Sequence, residues 1–194
     1  MMQLIELLKR NRSYRRFDRS IRPSQELMSS WIEGLRYTAS ARNMQPLKYV
    51  LVTDDALCHT LSQSVVWAGY LPEWPEPNED ERPTAFVIQI LDTRLSSSAR
   101  FDEGLQLEAL GLMAVESGFG ACIFLSFDPK RIAAMLDLPE YLTPISIVAI
   151  GKPIEEVEVR DVEAEADIRY YRDEAKRHYV PKRKREELIY RAIK

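Results

Sequence analysis

"TASARNMQPLKYVLV", residues 38 to 52, changes character midway, and that change sets how the chain is laid out. The first half is small and polar, with Ser40, Asn43 and Gln45 offering a hydroxyl and amide groups. Pro46 then fixes the backbone ahead of "KYVLVT" (48 to 53), a β-branched and aromatic run that reads as a buried strand. The polar half admits two readings. It is either a turn in which Asn and Ser satisfy their own backbone, or a surface that reads the edge of a heterocycle.

Upstream of this loop lie two helices and no strand. Leu4, Ile5 and Leu8 share one face of the first, and Leu27, Trp31 and Leu35 recur along the second, which Ser24 caps. Downstream, a helix opens at Asp54, and "TAFVIQILD" (84 to 92) reads as a second buried strand. Between them "YLPEWPEPNEDERP" carries four of the eleven prolines and five acids, so it is a long loop of the kind that is often functional. A helix from about Phe101 to Ser117 ends at "GFG"; "ACIFLSF" is a strand, "DPKRIAAMLDL" a helix capped by Asp128, and "PISIVAIG" a strand. In the tail, "IRYYRD" and "RHYVPK" flank "EAK" as two arms of a hairpin or an exchanged strand, and "REELIYRAI" closes the chain as a short amphipathic helix. With 194 residues, 45% of them hydrophobic, one domain with a sizeable core is expected.

Charge is unevenly spread. Lys9 to Arg22 holds seven basic residues against Asp18 alone, "EEVEVRDVEAEAD" (155 to 167) holds seven acids and one arginine, and Arg169 to Lys194 turns basic again. Each run taken singly reads as a solvated face. Two basic clusters at opposite ends of a chain of formal net charge -3 are better explained by convergence on one anion than by nucleic-acid binding. No stretch approaches the length of a membrane span, and the first residues lack the apolar core of a signal peptide. Two cysteines without ligand spacing encode neither a disulfide framework nor a metal site, which suits a reducing cytoplasm.

Side-chain chemistry is thin. The chain has no G-x-S-x-G, Walker loop, G-x-G-x-x-G or H-E-x-x-H. Cys58 and His59 adjoin on a helix and point to different faces, Cys122 reads as a small core residue, and His178 reads as a strand-surface residue. No catalytic side chain stands out, so a reactive group would come with a cofactor.

One segment remains to be placed, "NRSYRRFD" (11 to 18), where Arg12, Ser13 and Arg15 gather guanidinium groups beside a hydroxyl. Arg-Ser-x-Arg-x-Phe after the first helix, followed by S-x-x-N-x-Q-P before the first strand, resembles the FMN-dependent nitroreductase family. The likeness extends through "AVESGFGACIFLSF" to the basic segment "VPKRKR". It implies an α+β fold of three layers, a mixed but mostly antiparallel sheet flanked by helices, in an intertwined homodimer. The whole chain, 1 to 194, would form one FMN-binding domain, with the extension from 168 to 194 exchanged with the partner subunit. By the same resemblance Arg12, Ser13 and Arg15 hold the FMN phosphate and ribityl chain, and Lys182 and Arg183 close on that phosphate. Ser40, Asn43 and Gln45 reach the flavin of the other subunit, and Leu125 and Ser126 place backbone amides against its ring. The sequence departs from the family pattern at Asn11, Leu47 and Ser126.

The implied activity is hydride transfer from NADH or NADPH through FMN to an electron-poor acceptor, a nitroaromatic or quinone, in a ping-pong cycle. Trp67, Tyr70, Trp74 and Phe124 are candidates to line the open flavin face, against the alternative of ordinary packing. Other flavin chemistry on the same fold, reductive dehalogenation or flavin fragmentation, and a non-catalytic flavin-binding sensor are the other readings. Basic termini that contact RNA or a membrane form a further, non-enzymatic one.

Overall fold

The computed structural model describes residues 3–74, 76–99 and 101–193. Met1 and Met2 of the expected first helix, Pro75 of the expected loop and Lys194 of the tail lie outside the described residues.

The chain opens with α1 (Leu4–Arg10), a two-residue β1 (Phe17–Asp18) and α2 (Gln25–Leu35), then β2 (Leu47–Val52), α3 (Asp55–Ser62) and β3 (Ala85–Asp92). There follow α4 (Asp102–Glu116), β4 (Gly120–Phe124), α5 (Pro129–Met135) and β5 (Leu142–Pro153). A tail of β6 (Val157–Val162), β7 (Tyr171–Arg172), β8 (His178–Arg183) and α6 (Arg185–Leu188) completes it. Helix starts follow the cap chemistry of the sequence. Ser24 Oγ accepts the N–H of Leu27 at 3.1 Å, Asp54 that of Leu57 at 2.8 Å, and Asp128 that of Lys130 at 2.9 Å. Helix α4 is released by Gly118 at φ +82°, a conformation that L side chains rarely adopt.

β5 is the spine of the main sheet. β3 pairs along one side of it, from Ala85↔Ile150 to Asp92↔Leu142, and β4 along the other, from Gly120↔Gly151 to Phe124↔Ile147. β1 continues that second side at Phe17↔Pro153, and β2 forms the far edge on β3. All these pairings are antiparallel. Alternation along the strands feeds two cores. Ala85, Val87, Val148 and Ile150 meet Met28, Trp31 and Leu35 of α2 with Leu107 and Leu110 of α4. Phe86, Ile88, Ile147 and Ala149 meet Cys58 and Leu61 of α3 with Ile132 of α5. With helices on both faces the central strands carry apolar residues continuously, and each fully buried Ile or Phe contributes about 1.5 to 3 kcal/mol. The result is the expected three-layer α+β architecture with a mostly antiparallel sheet.

The differences from expectation sit at the margins. On α2 it is Met28, fully buried, that joins Trp31 and Leu35, while Leu27 is half-buried. The apolar face of α1 exists but is only partly covered, by α4: Leu4 is 63% exposed, Leu8 is half-buried and no residue of α1 is buried. β6 lies in the acidic run that reads as a solvated face; its partner β8 arrives in parallel register from the tail, Val157↔His178 to Val162↔Arg183. The hairpin arms pair as expected, Tyr171↔Tyr179 and Arg172↔His178. The final helix is only the turn Arg185–Leu188, beyond which Ile189, Tyr190 and Ile193 are exposed. Among the described residues, no helix is long and apolar enough to cross a membrane, and no cluster of His, Cys, Asp or Glu suits a metal.

Candidate functional site

The site begins where two glycines leave the sheet bare. Gly120 and Gly151 face each other across β4 and β5. A Cβ on Gly120 would stand 2.5 Å from the Tyr14 ring, and one on Gly151 2.7 Å from the Phe17 ring. Only glycine lets the arm 12–18 lie flat on this corner. Backbone bonds then fasten it. Tyr14 N–H donates to Ala121 O at 3.0 Å, Ile154 N–H donates to Arg16 O at 3.1 Å, and the Arg15 N–H donates to the Glu155 carboxylate.

Arg12, Ser13 and Arg15 thereby line one cavity of about 200 Å³. Its other wall comes from the tail: Tyr170, His178, Val180 and Lys182. The two basic clusters of the sequence do converge. Arg15 is 7% exposed; it donates through Nη1 to Ser13 O at 3.1 Å, and its guanidinium lies 4.7 Å from the centre of the Tyr170 ring. Arg12 donates through Nη2 to Leu8 O at 2.7 Å. What is left over is informative. Arg12 Nε, Arg15 Nε and His178 Nδ1 are buried and have no hydrogen-bond partner. Leaving such groups unpaired costs about 1 to 3 kcal/mol each, so the cavity calls for a group that accepts several hydrogen bonds. An oxyanion fits that demand, and a phosphate fits it with charge as well.

Strand geometry separates the two basic residues expected from the tail. Successive side chains of β8 point to opposite faces. His178, Val180 and Lys182 face the cavity, whereas Arg183 turns away and donates to Ala164 O at 2.6 Å. A buried acid holds this tail in place. Glu155, with a fully buried side chain, takes the Arg172 guanidinium at 2.9 Å as well as the Arg15 backbone. His178 is not a surface residue as expected; it is 1% exposed, its ring tilted against Tyr170 at 5.2 Å. Burial, with Arg15 and Arg172 beside it, drops its pKa to about 4. Glu155, Tyr170 and His178 escape sequence reasoning because long charged runs hide the one buried acid. The alternation His178, Val180, Lys182 was the available signal.

The polar loop of residues 38–46 is a closed unit. Ser40 Oγ donates to Asp102 at 2.5 Å and accepts the Gln45 N–H at 2.9 Å, and Gln45 Nε2 donates to the Asn43 side chain at 3.2 Å. Arg42, Asn43 and Gln45 all have positive φ. This self-satisfied turn is the first of its two readings. Ser40 and Gln45 also line a separate cavity of about 230 Å³ with Thr38, Tyr49 and Gln106. That cavity shares no residue with the arginine cavity. Ser13 is bridged to Ala121 on β4, and Tyr49 lies on β2, three strands away across the sheet, about 14 Å.

The aromatic candidates divide. Trp67 and Phe124 are core residues, 4% exposed each, packed edge to face at 4.7 Å, and Trp67 donates its indole N–H to Ser62 O at 2.9 Å. They are too buried to line an open face. Tyr70 is 54% exposed and its ring packs tilted against Tyr170 at 4.9 Å, and the centre of the Trp74 ring lies 4.1 Å from the Arg172 guanidinium. Leu125 and Ser126 are exposed just past β4, with Ser126 O accepting the Val66 N–H at 3.3 Å. Neither cysteine is a nucleophile: burial lifts Cys58 to about 12 and Cys122 to about 11. His59 meets Arg82, away from both cavities.

Residues 8–152 match the model of the Nitroreductase family. Among curated proteins, one named NADH dehydrogenase from Thermus thermophilus is 29% identical over 175 residues, covering 76% of this chain and 85% of that one. Among solved structures, an FMN-dependent nitroreductase from Clostridium difficile R20291 superposes with a TM-score of 0.66 at 20% identity, covering 79% of this chain and 89% of that one. A nitroreductase family protein from Streptococcus pneumoniae TIGR4 also gives 0.66, at 19% identity and 80% and 93% coverage.

Proposed function

The chain belongs to the nitroreductase family, and from that premise we propose that it is an FMN-dependent oxidoreductase passing electrons from NADH or NADPH to an electron-poor small molecule such as a nitroaromatic or quinone. The observation that carries this reading is the arginine cavity, where buried N–H groups on Arg12, Arg15 and His178 lack partners. When bound, FMN supplies the two-electron chemistry that no side chain of this chain offers.

The chain's residues bind and orient. Arg12, Arg15 and Lys182 supply positive charge to the phosphate and Ser13 a hydroxyl, while Glu155 keeps Arg15 and the tail in place without facing the cavity. From Ser13, which bridges Ala121, β4 runs outward. Ile123, 42% exposed, stands about 7 Å along it on the Ala121 face, and Leu125, 66% exposed, follows just past the end of the strand. They offer an apolar strip on which a flat ring rests and from which water is excluded. Tyr70 and Trp74 remain the aromatic groups of this reading for the acceptor side; Arg183 has no part in it.

The site is composite in this reading. Ser40, Asn43 and Gln45 stand too far from the arginines of their own chain to share one phosphate-anchored ring, so they serve the cavity of a second copy. Exposed Phe101 and Leu105 beside the loop, Leu4 and Ile5 on α1, and Leu188, Ile189 and Tyr190 in the tail give that copy an apolar surface to bury. Exchange of the extension 168–194 with the partner subunit stays part of this reading; within the single chain β8 pairs with β6 and β7. The experiment is release of the cofactor. Purified protein should be yellow and yield FMN on denaturation; colourless protein that takes up no FMN would refute the proposal.

A further inference from the structure

Resting on that phosphate reading, we infer that His178 is a phosphate-binding residue, its Nδ1–H a donor to the anion alongside the two arginines. The geometry fixes the tautomer. Arg15 Nη1 lies 3.4 Å from His178 Nε2, and an arginine only donates, so Nε2 is the acceptor. In a neutral imidazole the proton then sits on Nδ1. That nitrogen is the one that is buried without a partner. The imidazole stays neutral at neutral pH, since burial and the adjacent Arg15 and Arg172 hold its pKa near 4. Its role is therefore that of an oriented donor. Tyr170 packs against the ring at 5.2 Å with the two planes tilted by 41°, and pairing of His178 with Arg172 in the hairpin holds the backbone. His178 thus ties phosphate recognition to the folding of the tail: the arm and Lys182 bring charge, and His178 brings a donor that selects for a phosphorylated flavin.

The test compares FMN with riboflavin, which lacks the phosphate, on wild type, His178→Phe and His178→Asn. The phenylalanine keeps the ring contact with Tyr170 and loses the donor, and the asparagine keeps an N–H near the Nδ1 position. Wild type should prefer FMN. His178→Phe should lose about tenfold or more of that preference, with riboflavin binding unchanged within about threefold, and His178→Asn should recover most of it. An unchanged preference in His178→Phe, or equal loss of both flavins, overturns the inference while leaving the FMN reading intact. Equal binding of FMN and riboflavin to wild type refutes the phosphate reading, and the inference with it. If His178→Phe does not fold, NMR of the imidazole nitrogens in wild-type apoprotein decides. Added inorganic phosphate should shift Nδ1, and an Nδ1 signal indifferent to saturating phosphate overturns the inference.

Discussion

The Glu155 carboxylate accepts Arg172 Nη2 at 2.9 Å and, on its other oxygen, the backbone N–H of Arg15, so one buried acid joins the tail hairpin to the N-terminal arm. Residues from opposite ends of the chain reach a common cavity because of this pairing. Glu155→Gln removes the counter-charge and strands a guanidinium that is 11% exposed at its side chain. Breaking such a pair should cost about 3 to 5 kcal/mol in urea denaturation. Combining it with Arg172→Met should recover part of that loss, and a strictly additive double variant would show that the two residues are not coupled.

The Gly120 and Gly151 corner is equally specific. A methyl at Gly151 would meet Phe17 at 2.7 Å, a ring fully buried in the core. Gly151→Ala should therefore destabilise by about 1 to 3 kcal/mol and lift the arm with its arginines, weakening FMN retention. A variant with wild-type stability and wild-type FMN affinity would mean the arm does not depend on this contact.

Protonation of His178 sets a pH limit on the apoprotein. Its pKa is about 4 when folded, against about 6.5 in the unfolded chain. Between those values the unfolded chain binds more protons, so the stability is complete above about pH 6.5 and is lost as pH falls toward 4. The loss should be about 3 kcal/mol. Arg15 from the arm, Arg172 from β7 and Lys182 along β8 face or adjoin the imidazole and oppose its charging, with Glu155 beyond the two arginines. Urea midpoints at pH 7 and 4.5 should diverge more for wild type than for His178→Phe; equal divergence would assign the acid sensitivity elsewhere.

Much of this was legible from the residues, for identifiable reasons. The central strands read correctly because burial on both faces makes them apolar throughout, and Ser24, Asp54 and Asp128 announce helix starts through local chemistry. Arg12, Ser13, Arg15 and Lys182, expected to share one anion, do line one cavity. Alternation is what spoiled the pair Lys182 and Arg183, since neighbours on a strand cannot face the same ligand. For Trp67 and Phe124 both readings stood open, because an aromatic in or beside a loop looks alike in sequence whether it packs inward or lines a pocket, and here both pack inward. Glu155 and His178 were hidden for a third reason: their burial comes from contacts 140 and 163 residues away, which no local window contains.

Separation of the arginine cavity from the Ser40 and Gln45 loop gives a complementation test of the composite site. Arg15→Ala disables the arm and a Gln45→Ala, Asn43→Ala variant disables the loop. In a mixed dimer one site keeps a sound arm and a sound loop, so random pairing should restore about one quarter of the FMN sites. Within a single chain no sound site can form, and mixtures as inactive as the parents would place arm and loop in one subunit or make the loop dispensable.

Whether the chain is an oxidoreductase is asked most directly by anaerobic stopped-flow mixing of FMN-loaded protein with NADH and, separately, NADPH. The flavin absorbance should bleach with one equivalent of at least one nucleotide per FMN. It should then return when a quinone or nitroaromatic is added with no nucleotide remaining, since donor and acceptor use the site in turn. FMN that is firmly bound yet stays oxidised in the presence of both nucleotides would contradict the proposed activity.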